Sequence, residues 1–372
     1  MNRDLIVFGE DFGGLPSSTQ HIVSRLAHDR KILWVNSIGL RQPKLNKHDV
    51  KRALSKLLGR GKGGYSSHAK PLPENITIVN LKTIPAPRSS WARELAKSLL
   101  LSQLKPIIDK LNLVKPILWT SLPTAADLCG HLDESAVVYY CGDDFSSLAG
   151  VDHDTIASHE SKLANIADLI LGASPAICEK FDSRKTTLIP HGVDYELFSQ
   201  PAQRAIDLPN NNKPIAGFYG SISQWLNYEL IASVCLANPN WDFVFIGPVE
   251  LEFNPLPKLS NVYYLGPKPH DALPSYSQHW DASLLPFKLN EQILACSPLK
   301  LMEYLATGTP VVTTPFPALE PYKQHVNLVN TAAEFSQALN HVLNKSSINS
   351  EIVRSDSWDA RTQAVSRLLE TL

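Results

Sequence analysis

The chain has 372 residues, 44% hydrophobic and 19% charged, with a formal net charge of −1. Its size allows a large core divided over two domains, while near-neutral charge names no partner and gives no ground for nucleic acid. Five cysteines without a C-x-x-C pair argue against a disulfide frame or a zinc site. They favour reduced thiols in a cytoplasmic setting. The chain opens directly on a strand, and no apolar run reaches bilayer-spanning length, so a soluble or membrane-peripheral protein is expected.

Leu5 to Gly9 reads as a strand, followed by the turn E-D-F-G-G-L-P-S-S-T-Q and a helix around His21 to Ala27. Gly9, Gly13 and Gly14 are spaced wrongly for the dinucleotide fingerprint, and no acid follows the strand Lys31 to Asn36, which disfavours a dehydrogenase. The Gly13-Gly14 pair serves either to turn the chain or to admit a ligand. Arg41 to Lys70 is strongly basic, and Val50, Ala53, Leu54, Leu57 and Leu58 share one helical face ending at Gly59. That segment suits an anionic membrane surface, or else a lysine face solvated above an ordinary core contact. A second amphipathic stretch, Trp91 to Leu104 with Leu95, Leu99 and Leu100, is expected in the core, a membrane surface being the alternative.

Strands at Ile76 to Asn80, Pro116 to Thr120, Ala136 to Cys141, Asp168 to Gly172 and Thr186 to Ile189 alternate with helices, which predicts a parallel sheet. The strand through Val137 and Val138 runs out into Gly142-Asp143-Asp144-Phe145. A carboxylate at such a strand end can act as a general base, with Asp143 first and Asp144 second. The pair can equally cap the next helix. Asp152-His153-Asp154, just ahead of the helix Ile156 to Ala167, reads as a capping sequence rather than a metal site, and His153 is a weaker base candidate. His191 and His270 are expected to serve loop structure. Gln200 to Lys213, with two prolines and three consecutive asparagines, reads as a linker.

A second alternation follows, with strands at Pro214 to Tyr219, Trp241 to Gly247, Asn261 to Leu265, Asp281 to Leu285, Thr309 to Thr314 and Val326 to Val329. The closing helix from Ser355 carries Trp358, Ala364, Leu368 and Leu369. The expected domains are 1–205, joined by 355–372 crossing back, and 213–354. Ligands of open parallel sheets bind beyond the carboxyl ends of the strands, which selects the loops at Gly220-Ser221 and Gly266-Pro267. Ser297 is a good N-cap, Pro298 suits a first turn, and Leu299, Met302 and Leu305 recur at helical spacing until Gly308. A helix entering there presents free amides and a positive dipole end to an anion, with Lys300 beside them and Glu303 less than one turn on. Cys296 borders this helix as a small thiol.

The run K-L-M-E-Y-L-A-T-G-T-P-V-V resembles the donor-site helix of GT-B nucleotide-sugar glycosyltransferases, family four and its relatives. I-P-H-G-V-D at 189–194 resembles the motif closing their first domain, and D-A-S-L-L-P-F-K at 281–288 completes the order of blocks. The resemblance extends to teichuronic-acid and exopolysaccharide glycosyltransferases, including membrane-associated glucuronosyltransferases, whose aspartate-bearing loop is similar to 141–145. It implies an α/β fold of two doubly wound, Rossmann-like parallel-sheet domains facing a central cleft that closes about the linker.

The resemblance also implies metal-independent transfer, without a cofactor, from a nucleoside diphosphate sugar, UDP-sugar foremost, to a carbohydrate or lipid-linked acceptor. In its terms Glu303 grips the ribose; Ser297, Leu299, Lys300, Gly220 and Ser221 face the diphosphate; Gly266 and Pro267 hold the base; and Gly13 and Gly14 approach phosphate or acceptor. Two departures matter: Ala295 stands where a sugar-contacting Glu is usual, and the loop after Tyr219 lacks the usual basic pair, leaving Lys300 with Lys288 or Lys268 to neutralise the diphosphate. A nucleotide-sugar epimerase of the same architecture and a non-catalytic GT-B subunit are the alternatives.

Overall fold

The computed structural model describes residues 2–14, 17–37, 73–84, 89–142, 153–296, 299–344 and 348–372. Asp143, Asp144, Ser297 and the basic segment 41–70 lie outside the described residues. The chain forms two compact units, Met1–Pro190 with Arg361–Leu372, and His191–Ala360.

The first unit is built on seven parallel strands: β1 (Leu5–Phe8), β2 (Ile32–Val35), β3 (Ile76–Val79), β4 (Ile117–Thr120), β5 (Ala136–Cys141), β6 (Leu169–Gly172) and β7 (Thr186–Leu188). Their order is β3-β2-β1-β4-β5-β6-β7, so the winding reverses between β1 and β4. β1, β2, β4, β5 and β6 are buried throughout, as strands covered on both faces must be, and this is why they read as unbroken apolar runs. β5 is further anchored below its carboxyl end, where Tyr139 Oη donates to the buried Glu160 carboxylate at 2.7 Å.

The helix Ser90–Leu111 departs from expectation. Its core face is Ala96, Leu100, Leu104 and Ile108. Trp91, Leu95 and Leu99 lie roughly 100° round the helix from that row and are 71%, 45% and 41% exposed. Hydrophobic spacing alone had put all of them in the core. Both rows repeat at i, i+4, so spacing alone cannot say which one meets the sheet.

The second unit repeats the plan with β8 (Ile215–Tyr219), β9 (Asp242–Ile246), β10 (Val262–Tyr264), β11 (Ala282–Leu285), β12 (Val311–Thr313) and β13 (Val326–Leu328). All pairings are parallel, in the order β10-β9-β8-β11-β12-β13, with the switch between β8 and β11. Gly217 in β8 is required by packing, since a Cβ there would lie 1.7 Å from the Trp280 ring. Trp280 cannot yield, because its indole N–H donates to Ser283 Oγ at 2.9 Å in the core. Gly217→Ala is therefore expected to cost about 3 kcal/mol, read as a lower urea midpoint at unchanged slope.

Gln200 to Lys213 is held to the second unit rather than left as a free connection. Ala205 N–H donates to the Ser275 carbonyl at 2.9 Å, Ala202 N–H to Gln278 Oε1 at 2.8 Å, and Asp207 pairs with Lys268 at 2.6 Å. Leu208 is buried beneath it. Polar composition signalled a linker, but it does not reveal that every second or third residue finds a partner.

Candidate functional site

The switch point of the second unit gathers most of the residues singled out in the sequence. β8 ends at Tyr219 and β9 at Ile246, and each is followed by a glycine with φ of +138°, Gly220 and Gly247. The two approach so closely that a Cβ on Gly247 would lie 2.0 Å from the Gly220 carbonyl oxygen. Gly220 itself is crossed by Lys300: a Cβ there would meet Lys300 Cε at 2.1 Å and Nζ at 3.0 Å. A lysine from the helix Leu299–Ala306 is thus laid directly over the end of β8, which only glycine allows.

Two expectations about backbone donors need correction. Gly220 N–H does not face a ligand, because it donates to the Ile246 carbonyl at 2.8 Å as a continuation of the sheet. Gly13 and Gly14 are likewise engaged: Gly13 N–H donates to Gln20 Oε1 at 3.1 Å, and Gly14 N–H to the Asp11 carbonyl at 3.1 Å. These two amides are engaged within their own loop. Gly220 contributes space, and the charge comes from Lys300.

The helix Leu299–Ala306 is less amphipathic in place than in sequence. Leu301 through Ala306 are all buried, whereas Leu299 and Lys300 are half-buried. The turn Tyr195–Ser199 and the segment Ser350–Asp356 pack against it, so only its first residues stay open. Gly308, at φ +75°, ends it as expected. Burial pushes the Lys300 ammonium below the ordinary lysine value, opposed by the charges of Glu303, Cys296 and Glu250. A cation so desolvated gains strongly from an anionic ligand.

Glu303 is 3% exposed. Its Oε1 lies 2.7 Å from His270 Nε2, within hydrogen-bonding distance. His270 opens the short turn His270–Ala272 after β10, reached through Gly266 and the exposed Pro267. Burial disfavours its charged form, but the hydrogen bond and charge of Glu303, with Asp194 and Asp271 behind them, raise it above the ordinary histidine value. Phe198 stands edge-on to the imidazole at 5.4 Å. Tyr219 Oη is buried beside the same carboxylate, and burial together with the Glu303 charge pushes its ionisation well above the ordinary tyrosine value. The Tyr304 hydroxyl accepts from Tyr219 N–H at 3.0 Å and locks the helix to β8.

Of the other residues singled out, Ser221 Oγ donates to Glu250 Oε1 at 2.8 Å, on the rim of the Lys300 site. Gly266 accepts from Gly247 N–H at 3.0 Å through its carbonyl. Lys268 pairs with Asp207 at 2.6 Å, while Lys288 is exposed. His153 opens the helix His153–Ile166 instead of preceding it. His270 is the residue that sequence reasoning undervalued. It stands 33 positions from Glu303, and no periodicity links a loop residue to a helix that far along the chain.

Two successive doubly wound parallel sheets define the GT-B class. Solved structures agree along the whole chain: HepE of Anabaena in complex with UDP and glucose has a TM-score of 0.69 at 12% identity, covering 100% of both chains. Sucrose-phosphate synthase of Thermosynechococcus elongatus gives 0.65 at 15% identity, over 99% of this chain and 98% of that one. Residues 213–345 match the model of the family described as Glycosyl transferases group 1. A Bacillus subtilis (strain 168) protein provisionally named teichuronic acid biosynthesis glycosyltransferase TuaH is 30% identical over 242 residues. That match takes in 58% of this chain and spans 61% of the length of the relative. The chain thus has the GT-B fold, and residues 213–345 of its second unit match the group 1 glycosyl transferases.

Proposed function

We propose that the protein transfers a sugar from a nucleoside diphosphate sugar, a UDP-sugar in the first instance, to a carbohydrate or lipid-linked acceptor of bacterial surface polysaccharide. The observation that carries this reading is Lys300 laid over Gly220 at the switch point, with Glu303 less than one turn beyond it. Lys300 takes the charge of the departing diphosphate and Glu303 the ribose hydroxyls. Asp143 receives the acceptor proton, with Asp144 beside it, and no metal takes part. HepE, solved with UDP and with UDP-glucose, supports the donor class. The name of the Bacillus relative supports a cell-surface polymer as destination.

A lipid-linked acceptor would bring the protein to the cytoplasmic face of a membrane. The exposed row Trp91, Leu95 and Leu99, together with the basic composition of 41–70, suits such a surface. Among the described residues no helix is long and apolar enough to cross it.

Thermal unfolding with UDP, GDP and ADP tests the donor reading. UDP is expected to raise the midpoint progressively with concentration and the other two less, since a ligand bound only to the folded state stabilises by mass action. No shift with any nucleoside diphosphate would remove the donor site.

A further inference from the structure

We propose that His270 is the positioning residue of the donor site, holding Glu303 so that its carboxylate reads the nucleoside ribose and making that recognition depend on pH. The inference rests on the donor reading above and deepens it. A carboxylate accepts up to about four hydrogen bonds; His270 supplies one to Glu303 at 2.7 Å and the Tyr219 phenol lies beside the same carboxylate, so acceptor capacity is left over. A carboxylate so buried does not stay ionised cheaply without a compensating charge and further donors. The vicinal hydroxyls of a ribose are such donors, and a bound nucleoside would also seal the carboxylate from the little water it meets.

His270 is fixed for this task from several directions. Phe198 sets the ring edge-on, Asp194 lies ahead of the Tyr195–Ser199 turn, Asp271 follows on the same short turn, and Glu303 faces Nε2. Glu303 in turn meets Lys300 on its own helix and the Tyr219 phenol from the end of β8. With the imidazole charged, the pair is an ion pair in which Oε1 is immobilised and the carboxylate is oriented for the ligand. As pH rises past the raised value of His270, the imidazolium charge opposite Glu303 is lost. The ribose-dependent part of affinity is therefore present on the acid side and declines on the alkaline side.

Titration calorimetry with UDP, 2′-deoxy-UDP and inorganic pyrophosphate, from about pH 6 to about pH 9, tests this. The wild-type protein is expected to prefer UDP over its deoxy analogue about tenfold at the acid end, as for a hydrogen bond to a charged group, with the preference narrowing as pH rises. His270→Gln, which donates a hydrogen bond but cannot titrate, is expected to keep a smaller preference that is flat with pH. His270→Phe is expected to abolish the preference and leave pyrophosphate affinity unchanged, with thermal unfolding verifying that it folds. Retention of the full, pH-dependent preference in both variants, while Glu303→Gln loses it, would overturn the role of His270 and leave the donor site standing. Absence of UDP binding by the wild type would overturn the donor reading itself, and this inference with it.

Discussion

Lys300→Ala is expected to weaken UDP binding about a hundredfold, because a charge-assisted contact to phosphate in a desolvated site is worth about 3 kcal/mol. The expectation follows from position rather than from charge alone. The lysine stem crosses Gly220, its ammonium is partly stripped of water, and Lys268 is tied to Asp207. Lys288→Ala, removing an exposed cation, is the appropriate contrast and should change affinity less than about twofold. Isothermal titration of both variants gives the comparison directly. Equal, small losses in the two would mean that the diphosphate is held elsewhere.

Asp143→Asn is expected to leave UDP affinity within about twofold of wild type while slowing transfer by about a hundredfold or more, the range for a lost general base. The substitution preserves size and removes only the ability to take the acceptor proton. In the sequence Asp143 follows β5 by two residues, and that strand is buried along its whole length and pinned by the Tyr139 bond to Glu160. A single-turnover assay with radiolabelled donor separates the two quantities. Normal turnover would take Asp143 out of the mechanism and pass the role to Asp144 or His153.

Much of the fold is written locally. The central strands were legible because a parallel strand covered on both faces needs an unbroken apolar run, as β1, β2, β5, β8 and β9 show. The helix at Leu299 was legible for the same kind of reason, since Gly308 stops it at a left-handed position. What stayed hidden depends on neighbours. Gly220 looks like an amide donor until β9 is placed beside it and the Ile246 carbonyl takes the proton. Gly13 and Gly14 look open until Gln20 and Asp11 close their loop.

Helical spacing marked Trp91, Leu95 and Leu99 as apolar, but only packing shows that Leu100 and Leu104 win the core. The helix alone points Glu303 toward a ligand. That it is almost wholly buried, and answered by a histidine from another loop, is a property of the tertiary structure.

The most direct test of the account is a crystal structure of the protein with UDP. The account predicts diphosphate oxygens within hydrogen-bonding distance, about 3 Å, of Lys300 Nζ and ribose hydroxyls on the Glu303 carboxylate, with His270 still on its other oxygen. A nucleotide bound away from the end of β8, or one whose ribose turns from Glu303 toward solvent, would contradict it.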